Sequence, residues 1–413
     1  MNNILEMIKN EKVEWKKLGE IAVVSGAGVD KKIKEHEKVR KLLNYMDVYK
    51  NLYINSDIPQ MKVTASDKKI KDCDIKYGDI FITPSSETKE DIFMSSVAIE
   101  NFQKTVYSYH IMRIRLKEKN FITSCFLNYI FRSIEFRKKM QKKVFGNTRQ
   151  TITKTEIEKL EVPIPSIKIQ EKIVDKLDKF KKYIDALQNE LQNRSRSYEY
   201  FRDLVLSEDY LNKFIKKCNT ESQISYFKLK ELVDFIVGGD VPKNQFSKIK
   251  TENYKIPIYS NGTEENSLYG YTNIARVLER SITISARGTI GYVSLKEEPY
   301  YPIVRLICLI PKSDKLNLDY LYYYLQQYKF SYVKTGIPSL TRDMISNIKL
   351  PLPNIYIQNK VVEVLDKFQN LISNAEGLLP EEIEQRQKQY EYYREKLLTF
   401  ENNMVQVKSS QVK

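Results

Sequence analysis

Apolar positions between Ile173 and Val205 recur in alternating steps of four and three: Ile173, Leu177, Phe180, Ile184, Leu187, Leu191, Tyr198, Phe201 and Val205, interrupted only at Arg194. A heptad seam of this kind predicts a long helix packed lengthwise against another. Its counterpart is Val361, Leu365, Phe368, Ile372 and Ala375, followed by Leu379, Ile383, Tyr390, Tyr393 and Leu397. Two consecutive steps of four around Leu379 make a stutter that coincides with Gly377 and Pro380, so a kink or break is expected there. Each helix follows a Pro-x-Pro hinge, "PIPS" or "PLPN", where the prolines forbid helix and Ser166 or Asn354 supplies a cap. Each is expected to run for roughly 40 residues, on the order of 60 Å. Elsewhere the pattern alternates. "GDIFIT" (Gly78 to Thr83) and "SITISARGTIGYVSL" (Ser281 to Leu295) read as strands with glycine turns. One helical segment precedes each hinge, at Ser124 to Val144 and Leu318 to Val333.

The pattern occurs twice. Ile157 to Phe180 returns as Ile345 to Phe368 with 12 of 24 positions identical at a shift of 188. "WKKLGEI" (Trp15 to Ile21) returns as "YFKLKEL" (Tyr226 to Leu232), and "SYEYFRDLVL" (Ser197 to Leu206) as "QYEYYREKLL" (Gln389 to Leu398). The unit is a starter strand, a variable body, a hinge and a charged helix, and the ends match far better than the bodies. The fold class expected is α+β: two globular mixed α/β bodies separated by two long antiparallel helices forming a coiled-coil spacer, with a pseudo-twofold internal repeat. Boundaries are expected at 1–160 for the first body, 161–215 for the central helix, 216–350 for the second body and 351–413 for the C-terminal helix.

Composition narrows the class. With 413 residues, 42% of them hydrophobic, the chain has material for more than one core. No apolar run approaches the roughly 18 residues of a membrane span, the charged N-terminus is unlike a secretory signal, and the scattered Cys73, Cys125, Cys218 and Cys308 read as reduced thiols. A cytoplasmic location is expected. The net charge of +15 points to a polyanion, since lysines and arginines release counterions from nucleic-acid phosphates; lysine-rich composition without functional cause is the competing reading.

The doubled hinge with "LDKF", the "YEYYRE" helix end, "ISARGTIGYV" and "IPIYSNGTEENSLYGYT" (Ile256 to Thr272) resemble specificity subunits of type I restriction–modification enzymes. The resemblance covers nearly the whole chain and is weakest between Val13 and Gln150. It implies that each body is a target recognition domain reading one half of a split double-stranded DNA site. It further implies that the helices act as a ruler for the gap, and that two methyltransferase subunits dock on the scaffold, with restriction subunits a further partner. No cofactor is expected in this chain; S-adenosylmethionine and ATP with Mg are expected on partner subunits. The alternative is a stand-alone nucleic-acid-binding coiled-coil scaffold without a methyltransferase partner.

Candidate DNA contacts follow from charge and turn chemistry. "RKKMQKKVFGNTRQT" (Arg137 to Thr151) is the densest basic run, so Lys138, Lys139, Lys142 and Lys143 are candidates for phosphates, Asn147 and Thr148 for DNA contacts from the Gly-Asn turn, and Arg149 for a guanine edge. A solvated helix end with cations near its C-terminus accounts for the same run. Arg287 and Thr289 lie in "SARGTIG", between a strand and a glycine turn; a structural arginine bonding loop carbonyls is the other reading. "YSNGTEEN" offers Tyr259 and Asn261, and asparagine suits adenine, although Asn-Gly also makes an ordinary turn. "GGDVPKN" carries Lys243, and "SGAGVDKK" occupies the matching place in the first body with Lys31 opposite it.

Catalytic signatures are missing from the sequence. There is no GxxxxGK[ST] loop and no Asn-Pro-Pro-aromatic tetrad, and His36 and His110 are isolated. A non-catalytic chain is expected.

Overall fold

The starter strand and the hinge find each other in both repeats. Glu14–Lys17 pairs antiparallel with Glu161–Ile164, setting Trp15 against Pro163; Ser225–Lys228 pairs with Lys349–Leu352, setting Tyr226 against Pro351. Proline is tolerated because each ladder has only two strands, so the position without an N–H has no second neighbour to serve. The computed structural model describes residues 2–118, 120–146, 148–219, 223–332, 338–376 and 378–400. They divide into two units, Met1–Leu187 with Glu381–Lys413, and Gln188–Pro380.

The bodies differ in sequence but share one strand order. In the first unit Ala22–Ser25, Met112–Leu116, Ile80–Ile82 and Ser95–Ala98 lie side by side and antiparallel, with Tyr53–Ile54 added in parallel at the edge. The second unit repeats the four-strand core as Val233–Val237, Ile307–Pro311, Ser281–Ile284 and Val293–Lys296. Each unit carries a second three-stranded sheet with one antiparallel and one parallel pairing: Lys62–Ala65, Lys38–Leu43 and Thr105–Tyr107 in the first, Leu268–Thr272, Ile256–Tyr259 and Tyr301–Pro302 in the second. In the SARGTIG turn, Gly288 and Gly291 take φ of 67° and 83°, as a glycine turn between two strands requires.

The seam residues are where the periodicity puts them. The helix Ile167–Val205 buries Ile173, Leu177, Ile184 and Val205, while Leu187 and Leu191 are half-buried. In the first unit its start packs antiparallel to the end of Leu378–Leu398, with Phe180 on Tyr393 at 5.8 Å and the Tyr183 hydroxyl donating to Glu382 at 3.0 Å. In the second its end packs on Ile355–Glu376, with Phe201 on Phe368 at 4.2 Å. Asn354 caps as expected, its Oδ1 accepting from Ile357 N at 2.9 Å. At Ser166 the backbone amide donates instead to Glu11 at 2.7 Å. The kink expected at Gly377 lies outside the described residues.

Two polar staples recur at the helix starts, and both belong to residues identical in the repeats. Gln170, fully buried, donates to the carbonyls of Phe121 and Pro165, each at 2.8 Å, and accepts from Thr123 N at 2.8 Å. Gln358 does the same with Lys315, Pro353 and Asn317 at 2.9, 2.9 and 2.8 Å. About two helical turns after each glutamine, Asp178 accepts from Tyr53 and Tyr129 at 2.7 and 2.5 Å, and Asp366 from Tyr323 at 2.5 Å. The clamps join the hinge helix to the body helix, so they hold the frame on which the variable loops sit.

Three element boundaries differ from the sequence reading. The segment expected from Ser124 to Val144 is two helices, Ser124–Arg132 and Ile134–Gln141. Ser133 adopts extended backbone between them and its hydroxyl caps the second by accepting from Phe136 N. The tyrosine-rich helix ends at Gln327, where Tyr328 turns extended. The central helix stops at Val205, and a separate helix, Glu208–Lys217, starts behind the Ser207 cap.

Candidate nucleic-acid interface

Both units make one close backbone crossing at the end of the sheet. After Ala22–Ser25 the chain runs against Ser108–Ile111, where Val29 forms a parallel bridge to Ser108. After Val233–Val237 it runs against Ile303–Leu306, where Gly239 bridges Ile303. Gly28 and Gly238 stand at the crossings. A Cβ on Gly28 would lie 2.3 Å from Tyr109 N, and one on Gly238 would lie 2.7 Å from the Ile303 carbonyl oxygen. Only glycine lets the two backbones approach this far. The loops "SGAGVDKK" and "GGDVPKN" therefore do occupy matching places. The bridges set Val29 opposite Gly239, so Lys31 and Lys243 are offset by two positions instead of facing each other.

At the first crossing, segments far apart in sequence deliver cations to one place. Lys31 is exposed on the outgoing loop, and the ring of Tyr109, also exposed, lies tilted against that of His110 with centroids 3.9 Å apart. Arg149 is exposed; its Nε donates to Ser85 Oγ at 3.1 Å. Burial, then the charges of Lys31 and Arg149, hold the His110 imidazole below its ordinary pKa. Thr148 is exposed beside Arg149 in the hairpin Phe145 to Thr151, and Asn147 lies outside the described residues. Sequence reasoning set His110 aside as isolated and did not single out Tyr109; the signal that would have placed them is the glycine shared by the two crossings.

The helix lysines behave differently. Lys139 pairs with Glu135 at 2.8 Å and Lys143 with Glu156 at 3.5 Å, while Lys138 and Lys142 are exposed with no ion pair among the described residues. The basic run is thus part ion-paired helix surface and part free cation.

At the second crossing two expectations are corrected. Asn261 was expected to offer its carboxamide to adenine. Both ends are already engaged: Nδ2 donates to the Val304 carbonyl at 2.6 Å, and Oδ1 accepts from Ala286 N at 2.7 Å. Tyr259 turns inward. It packs on the small cluster of Val277, Tyr300 and Cys308, with Tyr300 edge-on at 5.7 Å and Lys296 Nζ 3.9 Å from its ring centre. Burial raises the pKa of the Tyr259 phenol and lowers that of Lys296. Thr289 is exposed at the glycine turn and Lys243 on the outgoing loop. Arg287 is half-buried, its Nε enclosed without a hydrogen-bond partner. Two arginines that sequence reasoning missed complete the surface. Arg276 lies over Tyr301 at 6.0 Å with a guanidinium nitrogen beside Gly239, and Arg305 is exposed at the crossing itself.

Among the described residues no group of three His, Cys, Asp or Glu side chains is arranged to hold a metal ion, and no helix is long and apolar enough to cross a membrane.

The sequence profile of the type I restriction modification DNA specificity domain matches twice, at residues 10–194 and 221–385. The chain is 32% identical over 257 residues to the putative type I specificity subunit S.MpnORF507P of Mycoplasma pneumoniae, covering 62% of this chain and 68% of that one. It is 30% identical over 279 residues to the type I restriction enzyme EcoR124I/EcoR124II specificity subunit of Escherichia coli, covering 61% and 66%. The type I restriction–modification S subunit of M. genitalium superposes with a TM-score of 0.50 at 16% identity, over 95% of this chain and 98% of that one. A chain from a structure of a type I R-M system, solved for its complex assembly and conformational transition, gives 0.56 at 16% identity over 94% and 97%. At that identity the two structures speak for the fold.

Proposed function

This chain belongs to the type I restriction–modification DNA specificity family, and from that premise we propose that its two units read the two unlike halves of one split DNA site. The observation that carries the reading is a shared frame with different side chains at the same crossing. Where the first unit places Tyr109 and His110, the second places Val304 and Arg305. A common frame approaches a duplex in a common way, and unlike side chains then meet unlike base edges. Lys31, Lys138, Lys142 and Lys243 are assigned to phosphates, and Arg149, Arg287 and Thr289 to the groove side. The chain contributes no catalytic group. Methyl transfer belongs to methyltransferase subunits, two per chain, which bind S-adenosylmethionine, and DNA cleavage to restriction subunits that use ATP with Mg.

Methylation mapping of host DNA by single-molecule sequencing tests this. With the partner methyltransferase present, the gene is expected to add one split adenine motif with unlike halves and a constant gap. Exchanging residues 216–350 for the corresponding body of another family member is expected to replace one half only. A map that does not respond to the gene sinks the proposal.

The gap has its own test. "LQNELQNR" (Leu187 to Arg194) is a near-tandem repeat of four residues within the long helix. Four residues add roughly 6 Å of helix, and a base pair rises about 3.4 Å. Inserting one further LQNE unit is expected to lengthen the methylated gap by about one or two base pairs with both halves unchanged. An unchanged gap would remove the helix from any measuring role.

A further inference from the structure

We propose that Arg305 reads a guanine in the half-site of the second unit, and that Asn261 is the positioning residue that holds it out. The inference rests on the reading of this unit as a half-site reader and names the side chain that discriminates.

Val304 and Arg305 are consecutive non-glycine residues at φ of 53° and 61°, in the left-handed region. For a β-branched residue such as Val304 this is a genuine outlier. A strained corner persists only where its surroundings over-determine it, and such corners cluster at functional sites. Here every restraint comes from the backbone or from one side chain. Val304 N donates to the Gly239 carbonyl at 2.8 Å, Arg305 N to the Gly238 carbonyl at 2.9 Å, and Leu306 N to the Ile303 carbonyl at 3.1 Å. Asn261 adds the side-chain bond, taking the Val304 carbonyl at 2.6 Å while its Oδ1 holds the amide of buried Ala286 at the end of strand Ser281–Ile284. The corner is therefore tied to the central sheet and to the glycine crossing at once.

What the corner presents is a free guanidinium. Arg305 is exposed and has no hydrogen-bond, ion-pair or ring partner for its side chain among the described residues. Arg280 is engaged by Glu297 and Asp319 at 2.6 and 2.7 Å, Arg276 by Tyr301 and Arg342 by Phe235, while Arg287 also lacks a partner among the described residues but is half-buried with its Nε enclosed. A phosphate contact needs no such backbone, because a lysine on a flexible loop serves it. A rigid, unpaired fork of N–H donors suits the O6 and N7 acceptors of guanine in the major groove.

The test is methylation mapping with the full chain and its methyltransferase partners. Arg305→Ala is expected to leave the first half and the gap unchanged. At one guanine of the second half it relaxes the motif, lowering the preference for guanine over the other bases by about tenfold or more. Arg305→Gln is expected to move that position toward adenine, which glutamine pairs bidentately. Asn261→Asp keeps an acceptor for Ala286 N but has no donor for the Val304 carbonyl, and is expected to relax the same position with a melting temperature close to that of wild type. A purely structural role for Asn261 would lower the melting temperature without touching the motif. If Arg305→Ala weakens all sites alike with the motif intact, Arg305 touches phosphate and the proposal falls; an unchanged motif and rate overturn it equally. If exchange of residues 216–350 leaves the second half unaltered, the half-site reading itself fails and takes the proposal with it.

Discussion

Gly28→Ala and Gly238→Ala are each expected to abolish recognition of their own half-site, lowering methylation of the intact site by about ten- to a hundredfold. The cause is steric and local. The new Cβ of Gly28→Ala would sit 2.3 Å from both N and Cα of Tyr109, and that of Gly238→Ala within 2.8 Å of three backbone atoms of Ile303. Backbone cannot rotate aside as a side-chain tip can, so the two segments must separate. The residues that move are the ones that carry Tyr109 and His110 in one unit and Arg305 in the other. Overpacking of this kind costs about 1–3 kcal/mol, and losing one well-placed base contact costs about as much again. Methylation rates of the reconstituted complex on oligonucleotides with one half mutated measure the effect on each half separately. Normal rates for both variants would show that the crossings can open without consequence.

Gln358→Leu is expected to destabilise the second unit by about 3 kcal/mol, and Gln170→Leu the first by a similar amount. Leucine fills much of the same space, so packing is nearly kept and the loss is polar. In the second unit the carbonyls of Lys315 and Pro353 and the amide of Asn317 lose their partner in an enclosed place. Each buried group left unpaired costs about 1–3 kcal/mol, which exceeds anything the added methyl groups return. Hydrogen exchange followed by mass spectrometry separates the units. Gln358→Leu should lower protection in the segments 225–237 and 307–327 while leaving the first unit protected. Uniform protection in both variants would mean that neither glutamine is structural.

The sequence was legible where structure is local or periodic. Heptad spacing named Ile173, Leu177, Ile184, Val361 and Leu365 as core, and all five are buried. The two Pro-x-Pro hinges were seen through their repetition, as was the equivalence of "SGAGVDKK" and "GGDVPKN". Single side chains in loops were harder. Asn261 carries good chemistry for adenine, yet its role is set by Val304 and Ala286, 43 and 25 residues away. Ser133 splits a segment whose apolar pattern is uninterrupted, because one hydroxyl competes with the helix for Phe136 N.

By itself the sequence determined that this protein is built twice on one plan, with seamed helices behind proline hinges and two bodies of unlike surface. Periodicity and propensity act over a few residues and survive in the bare string. Only the tertiary structure decided which charges share a surface. Lys31, His110 and Arg149 converge from three distant segments, and Arg305 stands free because Gly238, Gly239 and Asn261 hold its backbone where it would not go alone. Such convergence comes from non-local backbone pairing, and a side chain's neighbours across the sheet leave no trace in its neighbours along the chain.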